Sequence, residues 1–286
     1  MDVPEQRILF SVDSGGTTIS GEHSGDGGGR SILLLHGLPA TRRYVVMGSR
    51  TLQRAGHRVI AYDARGHGRS TAAPDPGAYG YDRLAADLEA VLDTLGLERV
   101  VVAGASMGAH TAVRFALRHP ERVAALGLIT PSFDPDLPTD PAAFAGWNAL
   151  ARGLRERGVE GFVDAYDFSE LPAEWRGTVE QVVRQRLAAH EHPRAVADAL
   201  EVVPPSRPFE DIAELAGIVA PTVVVASRDE ADPGHPLAVG ERYARAIPGA
   251  RLIVEDSGPP PRSPIAWQGG QLSKVLIELA AGVTGK

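Results

Sequence analysis

"VVVAGASMGAHTAVRFAL", residues 100–117, decides the fold. Its first six residues are apolar and open on three valines, as in a strand buried on both faces. From Met107 onward the spacing of apolar residues becomes helical. Between the two lies Gly104-Ala105-Ser106-Met107-Gly108, a G-x-S-x-G sequence. A chain passing from a buried strand into a helix across one serine must turn sharply, and the turn lifts the hydroxyl off the C-terminal edge of the sheet. Glycines flank it because a side chain would strike neighbouring backbone. The amide of Met107 then lies at a helix N-terminus, pointing at whatever Ser106 attacks. The plain alternative is a Gly-rich turn with an incidental serine.

Working outward, short apolar runs alternate with amphipathic stretches. Residues 7–12 and 17–22 read as an antiparallel pair, followed by "SGDGGG", whose Gly tract reads as a hairpin turn. Segments 31–37, 57–63, 99–106 and 123–130 read as buried parallel strands, and 221–227 and 251–256 resume the strand pattern. Helical patterns fall at about 43–55, 82–95, 107–119, 236–247 and 268–282. Residues 132–205 break the alternation: a proline-rich exit, "PSFDPDLPTDP", leads into helical patterns at about 141–157, 159–167, 174–190 and 193–201. This is the pattern of an α/β protein with a mostly parallel, doubly wound sheet and an inserted helical cap. The expected division is a core of 1–131 and 206–286, with a cap of 132–205.

Further marks flank the central motif: "LLLHGLPA" (33–40) after one strand, "YDARGHGRS" (62–70) after the next, "RHPERVAALGLI" (118–129), and "DEADPGHP" (229–236) after a later one. Together these resemble the α/β-hydrolase superfamily over nearly the whole chain. The resemblance implies an α/β-hydrolase fold, a nucleophile at Ser106, and an oxyanion hole made by the amides of Leu38 and Met107. It also implies structural roles for His36 and His67. The family places a carboxylate four residues before a proline in this loop, and Asp232 with Pro236 has that spacing; Asp229 and Glu230 are neighbours able to substitute.

The family's catalytic histidine follows the next strand, near Pro260 or Pro261, and no histidine exists after His235. A serine hydroxyl is a poor nucleophile near pH 7 without a base. Two histidines remain as candidate bases: His235, three residues after Asp232, and His110, one helical turn after Ser106. "SMGAH" resembles the "SMGGH" of carbon–carbon bond hydrolases, where the equivalent histidine lines the pocket. The stretch "PPPRSPIAWQGG" (259–270) offers Arg262, Trp267 and Gln268 where the imidazole would stand. They fit either an anionic or planar ligand or a rigid connector, with Trp267 packed in the core.

Composition excludes several classes. The 286 residues suffice for a large core, with 43% apolar and 23% charged residues. Net charge is −7 without a basic run, which argues against nucleic acid. Absence of cysteine removes disulfides, thiolate nucleophiles and Cys-bound metal. No cofactor or metal is expected. "MDVPEQRILF" lacks the layout of a signal peptide, and the apolar runs are too short to span a bilayer, so a cytoplasmic protein without membrane attachment is expected. Oligomeric state is not written in the sequence. The expected function is hydrolysis of a small ester, thioester or activated carbonyl by Ser106, with a relocated base or low activity. The alternatives are a non-hydrolytic protein of the same fold, binding a ligand or tailoring one, and a carbon–carbon bond hydrolase. Trp147, Phe162, Tyr166, Phe168 and Trp175 suit either an apolar pocket roof or the cap's own core.

Overall fold

A computed structural model describes residues 7–24, 28–136, 141–228, 234–254, 267 and 269–283. Eight strands form one sheet: β1 (Arg7–Ser14), β2 (Thr17–Ser24), β3 (Ser31–Leu35), β4 (Arg58–Tyr62), β5 (Val100–Ala105), β6 (Val123–Ile129), β7 (Thr222–Ala226) and β8 (Arg251–Val254). Their order is β1-β2-β4-β3-β5-β6-β7-β8. β1 and β2 pair antiparallel, as does β2 with β4, and all other pairs are parallel. All eight strand segments expected from the sequence form.

The helices are α1 (Thr51–Arg54), α2 (Tyr81–Thr94), α3 (Met107–Arg118), α4 (Ala145–Ala165), α5 (Ala173–Leu187), α6 (Pro193–Val202), α7 (Leu237–Ala246) and α8 (Gly269–Ala281). Helices cover both faces. On one side Leu88 and Val91 of α2, Val113 and Phe115 of α3 and Tyr243 of α7 pack on the sheet. On the other, Leu52 of α1 and Leu272, Leu276 and Leu279 of α8 do so. Double coverage explains why β6 and β7 are buried at every residue and read as unbroken apolar runs.

The chain steps from β3 outward to β4, then returns to the opposite side of β3 as β5. That reversal opens a crevice at the carboxyl ends of β3 and β5, where open α/β sheets bind ligands. His36-Gly37 follows β3 and Ser106 follows β5, so both main motifs end in it.

Two expectations need correction. The strands on either side of the Gly tract at 25–29 do not form the expected hairpin, because β2 and β3 do not pair and β4 lies between them. The hairpin reversal is Gly15-Gly16, at φ 59° and 80°. Gly29 instead donates its N–H to Gly56 O at 3.0 Å, so close that a Cβ there would lie 2.7 Å from that oxygen. The helix expected over 43–55 is also largely absent. A 3-10 turn, Arg42–Tyr44, and the single turn of α1 remain, interrupted where Met47 and Gly48 adopt φ 48° and 74°.

All of α4, α5 and α6 fall between β6 and β7. Gly158, at φ 63° and ψ −146°, breaks α4 in two where the sequence suggested two helices. The insertion has its own apolar cluster, including Leu154, Phe162, Leu187, Val196 and Leu200. α5 contributes one fully buried side chain to it, Leu187. A buried ion pair braces the core beneath: Arg65 donates to Asp87 at 2.7 and 2.6 Å and to Ala78 O at 2.8 Å. Removing one partner of such a pair strands the other's charge.

A Cβ on Gly108 would overlap the carbonyl of Leu35. Gly108→Ala should therefore destabilise by at least about 2 kcal/mol, the cost of forced overpacking. Gly177, within α5 and with open space around its Cβ position, should gain about 0.5–1 kcal/mol as Gly177→Ala. Urea midpoints of both variants check the pair; a neutral Gly108→Ala contradicts the close approach of β3 and α3.

Candidate active site

Ser106 is the residue between β5 and α3, at φ 50° and ψ −116°. An L-residue with a side chain rarely takes positive φ, and such strain gathers at functional sites. The turn is held by Ser106 N–H donating to Ile129 O at 3.0 Å and by His110 N–H donating to Ser106 O at 3.1 Å. Gly104 and Gly108 are both required, since a Cβ on Gly104 would overlap the carbonyl of Gly108. Ser106 Oγ forms no hydrogen bond among the described residues, and the residue lines a cavity of about 540 Å³.

The turn after β3 lies against it. A Cβ on Gly37 would stand 3.2 Å from Ser106 Cβ and 3.8 Å from its Oγ. Met107 opens α3, so its N–H has no acceptor within the helix. Neither this N–H nor that of Leu38 has a hydrogen-bond acceptor among the described residues.

His36 and His67 support this turn. His36 donates Nδ1–H to Gly37 O at 2.9 Å and accepts Ala64 N–H at Nε2, also at 2.9 Å. His67 donates Nδ1–H to Arg65 O at 3.0 Å, while its buried Nε2 has no partner. Burial lowers both pKa values, well below the ordinary value for His67, and keeps both rings neutral. The Asp63 carboxylate accepts Arg42 N–H at 2.9 Å and Arg69 N–H at 3.1 Å, and it is ion-paired with the Arg42 guanidinium. The loops 36–42 and 63–70 are thereby fastened together.

The two candidate bases lie in different settings. His110 is 3% exposed, and its Nε2 accepts the N–H groups of Ser132 and Phe133, both at 3.0 Å. Its Nδ1 therefore carries the proton and donates to Tyr81 Oη at 3.0 Å. Burial, reinforced by nearby His235, lowers its pKa to about 3. No hydrogen bond joins it to Ser106 Oγ, and its lone pair is already engaged by two amides. His235 lies on the cavity wall with Ser106, likewise without a hydrogen bond to Oγ.

Asp232, its neighbours Asp229 and Glu230, Pro260, Pro261, Arg262 and Gln268 lie outside the described residues. Trp267 is 9% exposed, donates Nε1–H to Ala226 O at 3.1 Å, packs with α8 and also reaches the cavity wall. It serves both as packing and as lining.

Residues of the insertion line the cavity. Trp147, Phe162 and Tyr166 line it, whereas Phe168 packs on Tyr166 with ring centroids 4.5 Å apart. Phe168 and Trp175 are not among the described lining residues. Arg186 lines the cavity too, its guanidinium 4.9 Å from the centroid of the Tyr44 ring. No motif singles out Arg186 in the sequence; its place near the end of α5 becomes meaningful only when the insertion folds over β3. Among the described residues no group of three or more His, Cys, Asp or Glu is arranged to hold a metal. No described helix is long and apolar enough to cross a membrane.

Neutral buried imidazoles have a consequence in acid. The unfolded chain binds protons near pH 6.5, but folded His190, held neutral mainly by burial, does so only near pH 4. Its folded pKa is the lower one, so stability is complete above pH 6.5 and falls below it. His190 alone should contribute about 3 kcal/mol to that loss by pH 4. Urea midpoints measured from pH 7.5 to 5, above most carboxylate titration, should decline steadily; a flat profile contradicts the neutral assignment.

Comparison with known proteins places this arrangement. A 2-hydroxy-6-oxononadienedioate/2-hydroxy-6-oxononatrienedioate hydrolase of Pseudomonas putida is 34% identical over 239 residues, spanning 79% of this chain and 80% of the relative. A protein carrying the name carbamate hydrolase RutD, from Variovorax paradoxus, is 32% identical over 211 residues, 73% of this chain and 77% of its own. A thermophilic esterase from Thermogutta terrifontis superposes with a TM-score of 0.75 over 98% of this chain and all of its own, at 24% identity, a likeness of fold. The profile described as alpha/beta hydrolase fold matches residues 30–260. With that match and those hydrolase relatives, the chain belongs to the α/β-hydrolase fold family.

Proposed function

We propose that the protein hydrolyses a small, largely apolar substrate at an activated carbonyl, with Ser106 as nucleophile. The observation that carries this reading is a strained, positive-φ serine whose hydroxyl is free of hydrogen bonds among the described residues and lines a roofed cavity. Ser106 Oγ attacks the carbonyl carbon, and its proton passes to a base. The oxyanion is received by the N–H groups of Leu38 and Met107. Collapse expels the leaving group with that proton, and water then releases the acid and restores the serine.

His235 is the candidate base on the cavity wall, and Asp232, by its spacing from Pro236 in the sequence, is the candidate acid. His110 would have to release two backbone N–H groups before it could act. Residues 132–205 act in this reading as a cap that sets substrate shape. The absence of a hydrogen bond from Ser106 Oγ to either ring favours modest activity, and it is also what supports the second reading, a ligand-binding protein with little turnover.

Arg186 refines the substrate. It is the one arginine or lysine among the described cavity residues, in a wall otherwise mostly apolar and aromatic. A carboxylate at one end of the substrate would meet it, and the Pseudomonas putida relative is named for a dioate. A carboxylate-bearing ketone cleaved at a carbon–carbon bond therefore stands beside simple esters as a candidate.

Ser106 should label slowly with a fluorophosphonate, about 10²–10⁴-fold below an enzyme with a placed base, and Ser106→Ala should not label. Fast labelling that survives both His235→Ala and His110→Ala overturns this account of the base. Among acyl esters, Arg186→Gln should raise KM about 10-fold or more for substrates with a terminal carboxylate, the worth of one charge-assisted hydrogen bond, and hardly change it for neutral ones. Equal effects on both classes contradict the carboxylate assignment.

A further inference from the structure

The sequence singles out no role for His190, in the short link between α5 and α6. The residue is 9% exposed. Its Nδ1 accepts Gly68 N–H at 2.8 Å, so the proton is on Nε2, which points to Pro39 O at 3.4 Å. The next residue strengthens the junction, with Glu191 N–H donating to Gly68 O at 2.8 Å. One imidazole thus joins the insertion to both loops that border the crevice. The His67 ring lies between it and His36, with centroids 5.5 and 5.2 Å away, so three neutral rings fill the space beneath the turn.

Pro39 follows Leu38 directly. The turn is pinned from the core by His36 on Gly37 O and by Ala40 N–H on Gly37 O at 2.8 Å. Those contacts fix its first half. At the next peptide but one, Pro39-Ala40, the side-chain hydrogen bond to a carbonyl comes from the insertion. Leu38's own side chain packs both against the junction cluster of Met107, Ala195 and Ala199 and against the insertion's cluster.

We propose that His190 is a positioning residue for the oxyanion hole: by holding Pro39 O while anchored on Gly68, it makes the aim of the Leu38 amide depend on a seated insertion. This rests on the reading of Leu38 N–H as a hole donor. Substrate packing against the roof and charge stabilisation at Ser106 are then linked through one side chain, without His190 touching substrate.

The test compares His190→Ala and His190→Asn with Arg155→Ala, which breaks an ion pair inside the insertion, to Asp198 and Glu201. Melting temperatures allow the three to be compared at matched stability loss. In His190→Ala, amide hydrogen exchange over residues 36–42 should rise about 10-fold, and kcat for a short acyl ester should fall about 10-fold with KM changed less than about 2-fold, as for a displaced transition-state donor. His190→Asn, able to accept from Gly68 and to donate, should recover much of kcat. Arg155→Ala should change neither measurement.

Unchanged exchange in His190→Ala overturns the proposal. So does raised exchange with unchanged kcat, or an equal kcat loss in Arg155→Ala. A wild-type protein that neither labels at Ser106 nor turns over ester would defeat the hydrolase reading instead. The exchange measurement then still decides whether His190 holds the turn.

Discussion

A strand cannot pass straight into a helix at the edge of a parallel sheet unless one residue takes backbone angles that side chains disfavour. Ser106 is that residue, and its neighbours are chosen around it. Gly104 and Gly108 leave room for backbone to meet backbone, and the carbonyl of Leu35 presses on the first turn of α3. The approach brings β3 and α3 together, sets Gly37 beside Ser106 and places the start of α3 under the crevice. Among the described residues, the Ser106 hydroxyl and the N–H groups of Leu38 and Met107 have no hydrogen-bond partner there. Strain at one residue is over-determined by close contacts on every side.

Around this point the protein favours neutrality over charge. His36, His67, His110 and His190 are buried and uncharged, and they act as neutral donors and acceptors to backbone groups. The charged pairs stand one layer further out, where Asp63 takes two amides and an arginine and Asp87 takes Arg65. Buried charges kept by close partners fix the loops without placing net charge beside Ser106.

The strands and the turn at Ser106 were legible because a two-sided sheet demands continuous apolar runs and a sharp turn demands its glycines. Those are local requirements. α1 was overstated because residues 45 and 46 are apolar like helix residues, while Met47 and Gly48 turn the chain at positive φ. The Gly tract at 25–29 looked like a hairpin because strand order is a global property: β4 intervenes only after the chain has gone round. His110 was noticed for its place on α3, but its partners, Ser132 and Phe133, lie beyond β6. His190 and Arg186 carried no motif, since their meaning comes from contacts across more than a hundred residues. Asp232 and the proline stretch were read from spacing and lie outside the described residues.

The uneven burial of the insertion bears on how such a protein changes over generations. The cavity floor belongs to the sheet, where one added methyl group can collide with backbone. The roof includes α5, which presents Thr178, Val179, Val182, Val183 and Arg186 to the cavity but commits only Leu187 fully to packing. Substitutions along that helical face are bought with little stability, so a lineage can vary the cavity lining while Ser106 stays put. Innovation and robustness are assigned to different layers of one chain: α5 is open to change, and the glycines around Ser106 are not.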